Sequence, residues 1–347
     1  MAEYSPMMQH YLATKKQYND CILFYRLGDF YEMFFDDAIT VSKELELTLT
    51  GKDCGQEERA PMCGVPFHAA ETYINRLVSN GHKVAICEQM EDPKLAKGIV
   101  KREVIKVVTP GTNLNAQALD ETKNNYLFCI YYQEDVIGVS ICDFSTGDYF
   151  VTELKSENEL IDEINKFVPS EIIVNEYFAM SGIDLTAVNE KLNISMSTLE
   201  NWYFDEDSSI KKLLSHFKIS ALDGLGVKDY PTGIIAAGAL LTYLYETQKS
   251  DMSHIITLTP YTTGKYMLID SSSRRNLELV ETLREKQKRG SLIWVLDKTK
   301  TAMGARALRS MSEQPLINKD EIINRQNVVE ELCNNQIDRE ELREYMN

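Results

Sequence analysis

The sequence has little that would place the chain in a membrane or in a secretory pathway. No stretch reaches the roughly 20 consecutive apolar residues that a bilayer-spanning helix needs. The longest candidate, residues 233–245, is rich in Ala and Gly and predicts a buried, closely packed helix. The first ten residues lack the basic start and apolar core of a secretory signal. We therefore expect a cytoplasmic protein with no membrane partner.

The sequence also lacks the cysteine patterns of disulfide frameworks and zinc sites. Its seven cysteines are odd in number, none forms a Cys-x-x-Cys pair, and the five histidines are scattered. Zinc sites need closely spaced thiol and imidazole ligands, and stable disulfides belong to oxidising compartments. We expect reduced structural thiols and no metal site.

No phosphate-binding loop of the type Gly-x-x-x-x-Gly-Lys-[Ser/Thr] is present. Gly51-Lys52 and Gly264-Lys265 both lack the upstream glycine and the following hydroxyl. This chain is therefore expected not to hydrolyse ATP and to carry no cofactor.

The chain has fewer basic than acidic residues, and its net charge is −16. This deficit of basic residues argues against general nucleic-acid binding. The deficit is uneven. Residues 1–115 hold 13 Lys+Arg and 16 Asp+Glu, a net charge of −3, whereas the remainder has a net charge of −13. The basic residues of the first segment cluster late, at Lys94, Lys97, Lys101, Arg102 and Lys106. Such a local basic edge can still meet phosphates.

The pattern of apolar residues predicts an α/β multidomain protein. Residues 1–115 mix helices with strands, including one long strand over 21–34 that is interrupted at Gly28. Residues 116–123 are polar and predict a linker. Residues 124–250 show a β-β-β-α-β order that resembles an RNase H-like sheet. Residues 260–347 are mainly helical after a short strand over 265–270.

Two helical predictions concern this last segment. The first is a helix over about 274–286, because Leu277, Val280 and Leu283 would share one of its faces. The second is the highly charged stretch 319–347, which has a helical pattern and no stop signal. We therefore expect the chain to end within a domain.

Phe30 and Glu32 are the first candidate site residues. They lie two positions apart in an extended segment, so their side chains share one face. A ring and a carboxylate side by side can act at a DNA lesion, the ring as a wedge between bases and the acid as an acceptor for a base edge. The alternative is a core aromatic beside a solvated acid.

Five groups of residues, in order along the chain, resemble the MutS family of DNA mismatch-repair proteins. They are RLGDFYEMFFDDA (26–38), APMCGVPFHA (60–69), VAICEQ (84–89) with VVTPGT (107–112), DFSTG (143–147), and RRNLEL (274–279) with WVLDKTKTAMGARALR (294–309). By this resemblance, residues 1–115 match a mixed α/β mismatch-recognition domain and 124–250 an RNase H-like connector domain. Residues 260–347 match the start of an all-α core domain that is truncated here. The clamp and ATPase domains of the family have no counterpart.

The resemblance implies a mechanism. Phe30 would wedge from the minor groove at mispaired or unpaired bases and bend the duplex, because unstacking costs less where pairing is already lost. Glu32 would contact the displaced base, either by accepting a hydrogen bond or by taking up a proton. Lys52, Lys97, Arg102 and Lys106 are candidates for DNA backbone contacts, which position a protein without reading sequence; surface lysines are often only solvated.

The resemblance also implies partners. They are mismatched double-stranded DNA, a MutL-type repair protein that binds the connector region, and a second subunit in a full-length homodimer. ATP and Mg belong to the missing ATPase domain, so the full-length parent is expected to be a DNA-dependent ATPase that associates with the nucleoid during repair.

Two rival functions remain open. One is a metal-dependent RNase H-like nuclease, in which Asp143 of DFSTG would be a metal ligand; a turn or capping role is the alternative for this residue. The other is a scaffold that binds other repair proteins.

Overall fold

A computed structural model describes residues 4–91, 98, 100–113, 123–262, 264, 266, 267, 269 and 271–346. The chain forms two compact units. The first comprises residues 1–118 and 241–253, and the second comprises residues 119–240 and 254–347. Within the described residues, no helix is both long and apolar enough to cross a membrane.

The first unit is built on a six-stranded sheet. Its strands are β1 (Cys21–Leu27), β2 (Phe30–Phe34), β3 (Thr50–Lys52), β4 (Ala60–Pro66), β5 (Lys83–Gln89) and β6 (Arg102–Val108). The strand order is β3-β4-β2-β1-β5-β6. The β1–β5 pair is parallel and the other pairs are antiparallel.

Helices cover both faces of this sheet. They are α1 (Pro6–Gln17), α2 (Phe35–Glu44) and α3 (Ala70–Ser79). Ser5 caps α1, since its hydroxyl accepts a hydrogen bond from the Met8 amide. Met8 and Tyr11 of α1 pack on one face with Leu23 and Phe34, whereas α2 and α3 pack on the other face in a separate apolar cluster.

The prediction of a single strand over 21–34 was wrong, because the chain reverses direction in the middle of it. β1 and β2 form a hairpin in which Leu27 pairs with Phe30. Gly28 has a φ of 59°. A glycine with positive φ at the first position is typical of two-residue hairpin turns, where its twist matches the strands. The interruption at Gly28 is therefore a turn and not a bulge.

The second unit contains the other sheet, in which the predicted β-β-β-α-β order is confirmed. The elements are β7 (Tyr126–Gln133), β8 (Val136–Asp143), β9 (Asp148–Leu154), α4 (Glu157–Phe167), β10 (Glu171–Val174), α5 (Glu176–Met180), α6 (Thr186–Leu192), β11 (Ser195–Thr198), α7 (Glu206–Phe217), α8 (Pro231–Gln248) and β12 (Thr259–Pro260). The strand order is β11-β10-β7-β8-β9-β12. The β7-β8-β9 meander is antiparallel, and β10, β11 and β12 join it in parallel pairs.

The prediction of a buried helix over 233–245 is confirmed by α8. Its residues 233–241 are all buried, and Gly238 allows close approach of α7. A Cβ added to Gly238 would lie 2.2 Å from Cβ of Ser209, so no other residue fits without movement. The last turns of α8, from Leu241 onward, belong to the first unit.

The described residues 271–346 contain helices separated by turns and irregular segments. The helices are α9 (Ser271–Asn276), α10 (Leu292–Leu296), α11 (Ala302–Glu313), α12 (Lys319–Asn334) and α13 (Gln336–Tyr345). The described part of the stretch 319–347 thus forms two helices, with Asn335 capping the second. The predicted strand over 265–270 includes residues 265, 268 and 270, which lie outside the described residues.

The predicted helix over 274–286 was wrong beyond Asn276. Glu278 and Lys286 have positive φ values of 46° and 47°, which an α-helix cannot contain. Leu277 and Leu283 are 61% and 48% exposed. An apolar stripe stabilises a helix only when it is buried against a neighbour, and here the stripe lacks that burial.

Candidate nucleic-acid interface

The β1–β2 hairpin presents Phe30 at its tip. Phe30 is 47% exposed although it is a large aromatic residue, whereas Tyr31 and Met33 are buried. Glu32 is half-buried on the same face as Phe30. The predicted alternation along this segment is confirmed, and Phe30 is not part of the apolar core.

The Glu32 carboxylate forms an ion pair across the sheet. Its Oε2 accepts a hydrogen bond from Nζ of Lys52 on β3. Among the described residues, a hydrogen-bond partner is found for Oε2 of this carboxylate and not for Oε1. Gly64 lies opposite Glu32 in the β2–β4 ladder. A Cβ at Gly64 would lie 3.2 Å from the carbonyl oxygen of Tyr31, so a larger residue here would crowd the β2 backbone beside the acid.

Lys52 was predicted to contact the DNA backbone, and in the structure its ammonium group is paired with Glu32. Its side chain retains 31% exposure, and that of Glu32 retains 16%. The ion pair therefore lies at the surface. There the positive charge of Lys52 offsets much of the negative charge of Glu32 beside Phe30.

Arg102, a second predicted backbone contact, is buried at 8% exposure. Its Nε donates to the carbonyl of Arg26 at 2.7 Å, and its Nη1 donates to the carbonyl of Val100 at 2.8 Å. The guanidinium also lies 5.2 Å from the ring centroid of Tyr25. These contacts connect β6 to β1 and hold the Arg102 guanidinium away from solvent.

Lys106 lies on the other face of the sheet from Phe30 and Glu32. It lines a cavity of about 320 Å³ together with Tyr31 and Phe67. Burial lowers the pKa of its ammonium group. Lys97 lies outside the described residues. The structure therefore does not bring Lys52, Arg102 and Lys106 together on one basic edge.

Asp143, the candidate metal ligand of a nuclease, is fully buried and occupied by turn contacts. Its Oδ1 accepts from the amide and hydroxyl of Ser145, and its Oδ2 accepts from Nδ2 of Asn124 and the amide of Asn125. The turn role is confirmed. Among the described residues, no group of three or more His, Cys, Asp or Glu side chains is arranged to hold a metal ion.

Family models for three consecutive domains match this sequence. MutS domain I matches residues 5–117, MutS domain II matches 125–256, and MutS domain III matches 272–347. The chain belongs to the MutS family. The resemblance seen in the sequence is therefore confirmed.

Several curated relatives are similar over the whole chain, and each is named DNA mismatch repair protein MutS. The protein from Lachnoclostridium phytofermentans is 64% identical over 347 residues, which are 100% of this chain and 37% of the relative. Those from Ruminiclostridium cellulolyticum and Acetivibrio thermocellus are 53% and 52% identical, again over 100% of this chain and 40% of each relative. The chain thus spans about two fifths of the length of these MutS relatives.

Two further residues lie near the MutS hairpin. Phe67, in the short 3₁₀ turn after β4, is 44% exposed. Arg26 lies with its guanidinium carbon 3.8 Å from the centroid of the Phe67 ring. The sequence feature that could have indicated Arg26 is its position two residues before Gly28, in the same segment as Phe30.

Proposed function

We propose that this chain recognises mispaired or unpaired bases in duplex DNA, as part of a mismatch-repair protein. The observation that carries the proposal is the exposed ring of Phe30, held at a hairpin tip beside a carboxylate, within the residues that match MutS domain I. The Phe30 ring lies outside the buried apolar clusters and is about half exposed. It is suited to insertion between bases.

The recognition signal is the cost of opening the base stack. A side chain that enters a duplex from the minor groove must unstack one step, at a few kcal/mol, and kink the DNA. A mismatch or an unpaired base has lost part of that stacking already. Phe30 therefore enters there at lower cost, and the protein reads deformability rather than sequence.

Glu32 adds a second filter. The part of the Glu32 charge that Lys52 does not offset repels the phosphates of every duplex, and this energy is recovered only where a displaced base donates a hydrogen bond. The hydrogen bond from Lys52 supports the acceptor role, because the Glu32 carboxylate already accepts a hydrogen bond on this surface.

The second unit serves, in this proposal, as a binding module. Its antiparallel meander, with parallel strands added at both edges, supports an RNase H-like connector. Asp143 is committed to a turn, which disfavours the nuclease alternative. We further propose domain limits of 1–115, 124–250 and 260–347, with 116–123 as a linker. In the full-length protein we propose a homodimer, a MutL-type partner at the connector, and an ATPase that uses ATP and Mg.

The test compares the full-length protein on duplexes that are fully matched, carry one mispair, or carry one unpaired base. We expect tighter binding to the two defective duplexes and bending of the DNA by fluorescence resonance energy transfer. Equal affinity for all three would contradict the proposal. Mg-dependent cleavage that is lost in Asp143→Asn would favour the nuclease instead.

A further inference from the structure

We propose that Arg26 is a positioning residue that fixes the hairpin turn and, through it, the direction of the Phe30 ring. This inference rests on the proposed function. It concerns how the wedge is kept ready for insertion, and it assigns Arg26 no contact with DNA.

The two carbonyl groups of the turn both accept hydrogen bonds from outside the hairpin ladder. Nε of Arg26 donates to the carbonyl of Gly28 at 2.5 Å. The amide of Phe67 donates to the carbonyl of Asp29 at 2.9 Å. Phe30 follows these two residues directly and pairs with Pro66 in the ladder. The backbone that aims the ring is therefore held from two sides.

The guanidinium of Arg26 is itself held by three elements. It stacks on the Phe67 ring at 3.8 Å and lies 5.5 Å from the Tyr31 ring centroid on β2. Its Nη1 lies 3.6 Å from Oε2 of Glu88 on β5. That same oxygen accepts a hydrogen bond from the Tyr31 hydroxyl at 2.5 Å. Arg26, Tyr31, Phe67 and Glu88 thus form one network, which we call the turn clamp.

The turn clamp leaves Arg26 poorly suited to bind phosphate. Only 14% of its side chain is exposed, and its donors face a carbonyl and a carboxylate. Its own carbonyl accepts from Nε of Arg102, which fixes the backbone beneath it. The side chain is therefore engaged on the protein side.

Fixing the turn matters because a mobile wedge must be ordered when it inserts. Ordering of loops and side chains opposes binding, and a preformed geometry removes that cost. A planar guanidinium can stack on Phe67 and donate to the Gly28 carbonyl at once, whereas a lysine ammonium cannot reproduce both contacts. Loss of the clamp should therefore lower the preference for mismatches rather than general DNA affinity.

The experiment measures affinities of the full-length protein for a mismatched and a matched duplex. Arg26→Met and Arg26→Lys should each reduce the ratio of the affinity for the mismatched duplex to that for the matched duplex. For Arg26→Met we expect a reduction of about tenfold, which is the scale for losing one hydrogen bond from a charged group. Arg76→Met, which removes an exposed arginine from α3, is the matched control and should leave the ratio unchanged. Phe67→Leu keeps an apolar side chain without the stacking ring and should lower the ratio by a smaller factor.

A double variant with Phe30→Ala identifies the route of the effect. If Arg26 acts through Phe30, Arg26→Met changes the ratio no further in that background. Equal weakening on both duplexes, with about one unit less salt dependence, would show a phosphate contact and overturn the inference. An unchanged ratio in Arg26→Met and Phe67→Leu would also overturn it. Absence of mismatch preference in the unmodified protein would instead refute the proposed function.

Discussion

At the scale of single residues, the sequence predicted the placement of Phe30 and Glu32 but not their surroundings. The alternation of side chains along a strand is a local property, so residues two positions apart are expected on the same face. The ion pair of Glu32 with Lys52 depends on strand pairing between segments 20 residues apart. The burial of Arg102 depends on a contact between β6 and β1, which are separated by β5 in the sheet. Neither arrangement has a periodic signal in the sequence.

Glu32→Gln should keep or raise the affinity for DNA and narrow the gap between mismatched and matched duplexes. The amide carries no charge to repel phosphates, and it can donate or accept a hydrogen bond at any base. Release of Lys52 from its partner adds a free cation to the same surface. Fluorescence anisotropy with both duplexes measures this. A sharp and equal loss on both would mean that Glu32 is structural.

Arg102→Met should destabilise the protein by about 1–3 kcal/mol, because the Arg26 and Val100 carbonyls lose their donor in a buried place. The salt dependence of DNA binding should stay the same. Lys101→Met serves as the control, since the Lys101 side chain is 67% exposed and pairs with Glu103 on the surface. Reduced salt dependence with unchanged stability would restore Arg102 as a phosphate contact.

At the scale of helices and strands, the sequence predicted which elements exist but not where an element is interrupted or ends. The meander β7–β9, the helix over 157–167 and the helix over 302–313 follow from strong local patterns. The turn at Gly28 and the end of α9 at Asn276 do not. Both depend on more than the local pattern: a hairpin closes at Gly28, and Leu277 and Leu283 are exposed beyond α9.

The end of α4 offers a test of local backbone strain. Val168 follows this helix with a φ of 48°, a left-handed conformation that disfavours β-branched residues. It is 43% exposed, so its side chain contributes little packing. Val168→Gly should stabilise the second unit by about 1 kcal/mol, the approximate cost of left-handed backbone for a residue with a Cβ.

The measurement is the denaturant midpoint of the transition that reports on the second unit. Lys218→Gly is the matched comparison, because Lys218 ends α7 with a φ of 54° and is not β-branched. It should gain less than Val168→Gly does. A lower midpoint in Val168→Gly would show that the valine side chain contributes packing that outweighs its backbone strain.

At the scale of the whole molecule, charge and size oppose tight DNA binding by this chain alone. Residues 116–347 carry a net charge of −13, and the predicted basic edge is dispersed over separate places. The chain spans about two fifths of its MutS relatives. Bending DNA costs several kcal/mol, which proteins normally offset with extra wrapped surface.

We therefore expect the isolated 347-residue chain to bind mismatched DNA poorly near physiological salt. Anisotropy with labelled mismatched and matched duplexes gives the result directly, with the full-length protein as the reference. Submicromolar binding that prefers the mismatch would show that the first unit recognises lesions without further segments.

The central claim is that Phe30 is a wedge for DNA and not a core residue. The most direct measurement is the ratio of mismatched to matched duplex affinity for Phe30→Ala in the full-length protein, taken together with its melting temperature. We predict that the mismatch preference is lost while the melting temperature is unchanged. A drop in stability of about 3–5 kcal/mol, typical of a buried phenylalanine, together with an intact preference for the mismatch, would contradict the account.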